Sequence, residues 1–159
     1  MSIADAHPTL ICDPISVRVE GNEIAYAEGV SLDWKCGALA EGFARYRNAE
    51  FFLAHEDWES VWLTLEGPEK SFLQALIQMT AAFHHLQAGN SAGAFSLLQR
   101  ALRRFELCPA CFGGIAVASL CTEVYEWLRV IESGTLSMPA TFPRIYPIDL
   151  PPKSAIRRG

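Results

Sequence analysis

The residues able to do chemistry crowd into one stretch of this chain. His55 and Glu59 stand four apart, Glu56 adjoins the histidine, and Trp62 follows three residues after Glu59. On a helix, positions i and i+4 share a face, so the imidazole and the carboxylate meet. An imidazole oriented by a carboxylate can act as a general base. The same pair offers one nitrogen and one oxygen to a divalent metal. Two protein ligands plus waters make a weak site, so tight binding needs a third, from Glu56 or from His85 or His84 on a neighbouring helix. Gln74, Gln78 and His85 recur at i, i+4 and i+11, a second polar stripe on an otherwise apolar segment. Glutamine is a poor transition-metal ligand but can both donate to and accept from a small polar molecule. Spacing ties no Ser, Cys or Lys to this face, so it offers no covalent nucleophile.

A second candidate is Cys108-Pro109-Ala110-Cys111, followed by Phe112-Gly113-Gly114. In a thioredoxin-like fold such a pair opens a helix after a strand, and the helix N-terminus lowers the thiol pKa. Here the pair follows a predicted helix instead. A zinc ribbon needs a second pair, and Cys12, Cys36 and Cys121 stand singly. The reading is a turn between helices with incidental thiols, a redox or regulatory disulfide being the alternative.

These side chains must be positioned by the elements around them. The first thirty residues show no helical period. Ile15, Val17 and Val19 alternate with polar residues, Gly21-Asn22 intervenes, and Ile24 and Tyr26 alternate again, which predicts a short β-hairpin. From Asp33, a candidate N-cap, the period becomes helical. Leu39, Phe43 and Tyr46 form one stripe, and Asn48 can end that helix and cap the next. The second helix is predicted over about 49–65, with Phe51, His55, Trp58 and Trp62 on its inner face. That placement predicts a buried His55–Glu59 pair, which must then be partnered. Gly67-Pro68 breaks the chain and starts a third helix over about 68–88, its core face built from Phe72, Leu73, Leu76, Ile77 and Phe83. His84 falls on that face. Gly89-Asn90 turns the chain into a fourth helix, about 91–107, and a fifth is predicted over about 113–132, ended by Ser133-Gly134.

The tight Gly-Pro turn makes helices two and three antiparallel neighbours, so their polar stripes are placed to meet. After Met138, five prolines forbid helix, and an extended tail is expected to drape over the bundle. The fold class is therefore all-α: a compact antiparallel bundle of about five helices, with an N-terminal β-hairpin and an extended Pro-rich tail. We expect one domain over residues 1–159, divided as flap 1–33, bundle 34–133 and tail 134–159.

Composition agrees. The chain has 159 residues, half of them hydrophobic and 19% charged, which excludes disordered, collagen-like and coiled-coil classes. Its net charge of −5 falls on residues 1–33, leaving no basic footprint for nucleic acid. Arg100, Arg103 and Arg104 read as a solvated helix face. The longest uncharged stretch, Ser71–Gln99, is interrupted by Gln74, Gln78, His84, His85 and Gly89-Asn90. It is therefore a central helix rather than a bilayer span. Met1–Pro8 has no basic start and no apolar run, so no secretory signal is expected there. With an odd cysteine count, that points to reduced thiols and a cytoplasmic location.

The run Phe51-Phe52-Leu53-Ala54-His55-Glu56-Asp57-Trp58-Glu59-Ser60-Val61-Trp62, with Leu73-Gln74-Ala75-Leu76-Ile77-Gln78 and Gly89-Asn90 downstream, resembles a bacterial and archaeal family known as domain of unknown function 309. The shared signature is His-x3-Glu-x2-Trp/Tyr, met by His55, Glu59 and Trp62, and the resemblance spans about residues 36–106. It implies a small helical bundle whose His/Glu motif binds metal, and no established activity. Many members carry an acidic residue two before the histidine, where this chain has Leu53.

Two functions remain open on these residues. In the first, a site between helices two and three binds a divalent metal or a small polar ligand, with hydrolysis of a small molecule as its chemistry. His55 would ligate or accept a proton, Glu59 ligate or orient it, Glu56 and His85 complete a metal shell, and Trp62, Gln74 and Gln78 hold the ligand. In the second, the cluster only fixes the register of two helices, and the chain docks a partner or forms a homodimer.

Overall fold

The computed structural model describes residues 32–134, 139 and 141–146. The predicted hairpin and the chain beyond Tyr146 lie outside them. Among the described residues are five helices: α1 (Gly37–Arg47), α2 (Phe51–Trp62), α3 (Gly67–Gln87), α4 (Ser91–Glu106) and α5 (Val117–Ser133). Each packs on the next, as the short connections require. Between α4 and α5 lies an antiparallel ladder of two short strands, β1 (Cys111–Phe112) and β2 (Ile115–Ala116), with Cys111 opposite Ala116 and Phe112 opposite Ile115. Gly113 and Gly114 turn it with φ of 60° and 80°, a conformation that a Cβ would oppose.

The core begins with Leu39, Phe43 and Tyr46 on α1, all buried. They close on Trp58 of α2, whose ring meets Phe43 edge-on at 5.1 Å and whose indole N–H donates to the Leu39 carbonyl at 3.2 Å. Gly42 makes this approach feasible, since a Cβ there would overlap the Trp58 ring. α3 is the central helix: Phe72, Leu73, Ala75, Leu76, Met79, Thr80, Ala82 and Phe83 are all buried. Thr80 satisfies its hydroxyl on the Ile77 carbonyl at 2.8 Å. Of the tail, Phe142 packs on Phe51, Phe83 and Trp127, with ring centroids 4.8, 5.0 and 5.2 Å away, and Ile145 is fully buried.

Caps and turns depart from expectation in four places. The N-cap of α1 is Cys36, not Asp33; Asp33 instead accepts from the Lys35 amide and the Cys36 thiol. Asn48 ends α1 but does not cap α2, whose N-cap position is Glu50. The junction uses Ala49 at φ 61°, a left-handed conformation uncommon for a residue with a Cβ. α5 starts at Val117 rather than near 113, because 111–116 pair as strands. By contrast Pro68 takes the first turn of α3, and Asn90 caps α4 by accepting from the Gly93 amide at 2.9 Å.

The tail is held partly by Tyr46, whose buried hydroxyl donates to the Pro143 carbonyl at 2.7 Å. Tyr46→Phe removes that donor and leaves a buried carbonyl short of a partner. We expect a loss of about 1–3 kcal/mol, read as a lower urea midpoint with unchanged slope.

Candidate functional site

On α2 the fully buried line is Phe51, Ala54 and Trp58. His55 and Glu59 each follow one of these by a single residue, a rotation of about 100°, so they lie on the flank of the apolar stripe. The expectation of a buried pair is corrected accordingly: 26% of the His55 side chain and 46% of Glu59 remain exposed, and Glu56 stands 55% exposed. Solvation relieves the carboxylates of any need for a buried partner.

Phe52, His55, Glu59 and Trp62 follow one another at i, i+3, i+7 and i+10, an edge of α2. Two contacts show that this edge runs beside α3. Phe52 meets the His84 ring at 5.5 Å near the end of α3, and the Lys70 ammonium lies 4.3 Å over the Trp62 ring near its start. Gln74 and Gln78 fall between Lys70 and His84 on α3, both half-buried. Gln74 and Gln78 therefore lie on the length of α3 that runs beside this edge, at the margin of the core.

His55, Glu56 and Glu59 come together closely, with ligand-capable atoms all within 4.8 Å of one another. His55 Nδ1 is 3.8 Å from Glu59 Oε1 and 3.8 Å from Glu56 Oε2. Those separations are too long for hydrogen bonds. Nδ1 is itself buried and has no hydrogen-bond partner. The imidazole is steadied by Phe52, stacked at 6.3 Å and 10° between planes.

Two more buried polar atoms on these helices lack a hydrogen-bond partner: Trp62 Nε1 and Gln78 Oε1. The contrast among the tryptophans is informative. Trp34, Trp58 and Trp127 donate to the carbonyls of Gly113, Leu39 and Thr141 at 2.7, 3.2 and 3.0 Å. Their indole N–H groups are satisfied within the fold, whereas that of Trp62 meets no protein acceptor.

The remaining candidates separate. His85 is drawn away from the group, its Nδ1 3.2 Å from the Asn90 amide at the α3–α4 turn. His84 is exposed instead of core, corrected by one step of helix phase. Leu53 is 42% exposed. Sequence spacing pointed to the His/Glu pair but not to Phe52 or Lys70; their one signal was the antiparallel register that the Gly-Pro turn imposes.

The cysteine pair forms no bond with itself. Cys108 is a free thiol, as are Cys36 and Cys121, and Cys111 is disulfide-bonded, so the thiols are not uniformly reduced. The free thiols are poor nucleophiles. The hydrogen bond to Asp33 raises Cys36, burial raises Cys108, and burial, then Glu106 and Cys108, push Cys121 up to about 11.

The fold and the site together define a class: a mostly helical bundle, with one short two-stranded ladder, that presents His-x3-Glu-x2-Trp along one edge of its second helix. Residues 39–97 match the family model Domain of unknown function (DUF309), and over that segment the chain resembles this family. The matched segment runs from α1 into α4 and contains the whole α2–α3 pair. No curated protein matches the chain. Among the described residues no helix is long and apolar enough to cross a membrane.

Proposed function

We propose that the edge of α2 is a solvent-accessible site for a divalent cation, held by His55, Glu56 and Glu59. The observation that carries this reading is the buried, unpartnered Nδ1 of His55, facing two carboxylates at equal distance. One imidazole and two carboxylates suit borderline and hard divalent metals. The group fits, because ligand bonds of about 2.0–2.2 Å place neighbouring donor atoms at separations these side chains reach by small rotations. A cation bound there would act as a Lewis acid toward a small polar molecule. The Trp62 indole N–H and the Gln78 carbonyl oxygen would take that molecule's acceptor and donor, with Gln74 on the same edge.

The test is a calorimetric titration of Mn²⁺, a metal that avoids thiolates, into the wild type and a His55→Ala/Glu59→Ala variant. A saturable single-site isotherm, lost in the variant, is expected. The same weak heats for both proteins would end the metal reading.

One observation favours a second reading. Phe52, 52% exposed, lies beside Leu53 on α2 and forms an apolar spot next to the site. It is the natural contact of a protein-interaction or dimerisation module whose polar cluster is only architectural. Concentration-dependent sedimentation abolished by Phe52→Ser, together with no cation binding, would select that reading.

A further inference from the structure

Where α2 ends beside the start of α3, two hydrogen-bond donors meet without an acceptor. Trp62 is the last residue of α2, and its indole Nε1 is buried without a hydrogen-bond partner. The Lys70 ammonium lies 4.3 Å over the same ring, held by the negative face of the indole. Among the described residues no carboxylate pairs with Lys70, although Glu66 and Glu69 precede it closely in sequence. A buried donor without a partner costs stability, so it calls for an acceptor from elsewhere. α3 begins at Gly67 with no side-chain cap, and the positive end of its dipole adds to the Lys70 charge. Trp62 and Lys70 are both half-buried, at the margin of the core and within reach of solutes.

We propose that Trp62 and Lys70 form an oxyanion subsite, and that the small molecule bound on this edge carries a carboxylate or phosphate group. The inference rests on the reading that the α2 edge takes a small polar ligand, and it names that ligand's class. Two donors, one of them cationic, complement an acceptor that is negatively charged. The indole N–H gives one oxygen a fixed direction. The ammonium, on its flexible stem, swings from the ring face to a second oxygen. Glu59, one turn back on α2, is nearly half exposed, and its solvation weakens its repulsion of an anion. His55 and Trp62 are seven residues apart, a rise of about 10 Å along the helix. A ligand several bonds long therefore reaches from the His55 group to this subsite. Its oxyanion lies against Trp62 and Lys70, and its remaining polar group faces His55.

The experiment follows the indole N–H signals of the four tryptophans by NMR in the full, nitrogen-15-labelled chain, without added metal. Trp62→Phe identifies the Trp62 signal by its loss. Inorganic phosphate and, separately, acetate are titrated at constant ionic strength. We expect the Trp62 signal to shift downfield and saturate. Those of Trp34, Trp58 and Trp127, already bonded to carbonyls, should stay in place. Lys70→Met keeps an apolar stem over the ring and should weaken binding by about tenfold or more, whereas Lys70→Arg should retain it. The tighter of the two anions tells a phosphoryl group from a carboxylate. A Trp62 signal indifferent to both anions, or a shift that Lys70→Met leaves intact, would overturn the proposal. The two readings fail separately. Mn²⁺ binding with an unmoved indole keeps the cation site and ends the oxyanion subsite; a moving indole without Mn²⁺ binding does the reverse.

Discussion

Trp58→Ala is expected to cost about 3–5 kcal/mol, the range for deleting a fully buried large aromatic. Trp58 has no solvent exposure, packs on Phe43 and Tyr46, and satisfies its N–H on α1. The side chain therefore joins α1 to α2 by packing and by a hydrogen bond at once. Its truncation leaves a cavity and removes a second donor from the Leu39 carbonyl, since α1 cannot collapse far enough to fill the gap. The converse substitution acts at the same place: Gly42→Ala drives a methyl into the Trp58 ring and is expected to cost about 1–3 kcal/mol through overpacking. Denaturant midpoints check both. A Trp58→Ala loss below 1 kcal/mol would show that α1 does not rest on this ring.

His55→Ala should separate stability from binding. Its side chain is a quarter exposed and makes no hydrogen bond through Nδ1, so without metal the substitution is expected to cost under about 1 kcal/mol. With a cation at about a hundredfold its Kd, the wild type gains about 2.7 kcal/mol. For a chain of this size that corresponds to a melting rise of about 5–10 °C. His55→Ala should lose nearly all of that rise. Were the cluster architectural instead, the signs would reverse: a large cost without metal and no rise with it. Scanning calorimetry of both proteins, with and without Mn²⁺, distinguishes the two.

How far the sequence carried the reading depends on the kind of signal at each residue. Leu39, Phe43 and Tyr46, or Phe72, Leu73, Leu76 and Phe83, are large apolar residues at helical spacing, and burial leaves them few alternatives. Gly67-Pro68 and Gly89-Asn90 break helices for local backbone reasons, so those boundaries were legible too. The phase of α2 was not. Ala54 is fully buried but too small to announce itself, and assigning His55 to its place on the stripe turned the pair one step too far inward. The ladder at 111–116 has only two residues per strand, too few for an alternating pattern to register.

The most direct probe of the α2 edge asks which atoms touch a bound cation. Electron spin-echo spectroscopy of Mn²⁺ on the wild type should show nitrogen modulation from one imidazole. That modulation should vanish in His55→Ala and persist in His85→Ala, because His85 is engaged at the α3–α4 turn. Bound Mn²⁺ with no nitrogen coupling, or a coupling that survives loss of His55, would contradict the assignment of this histidine to the metal.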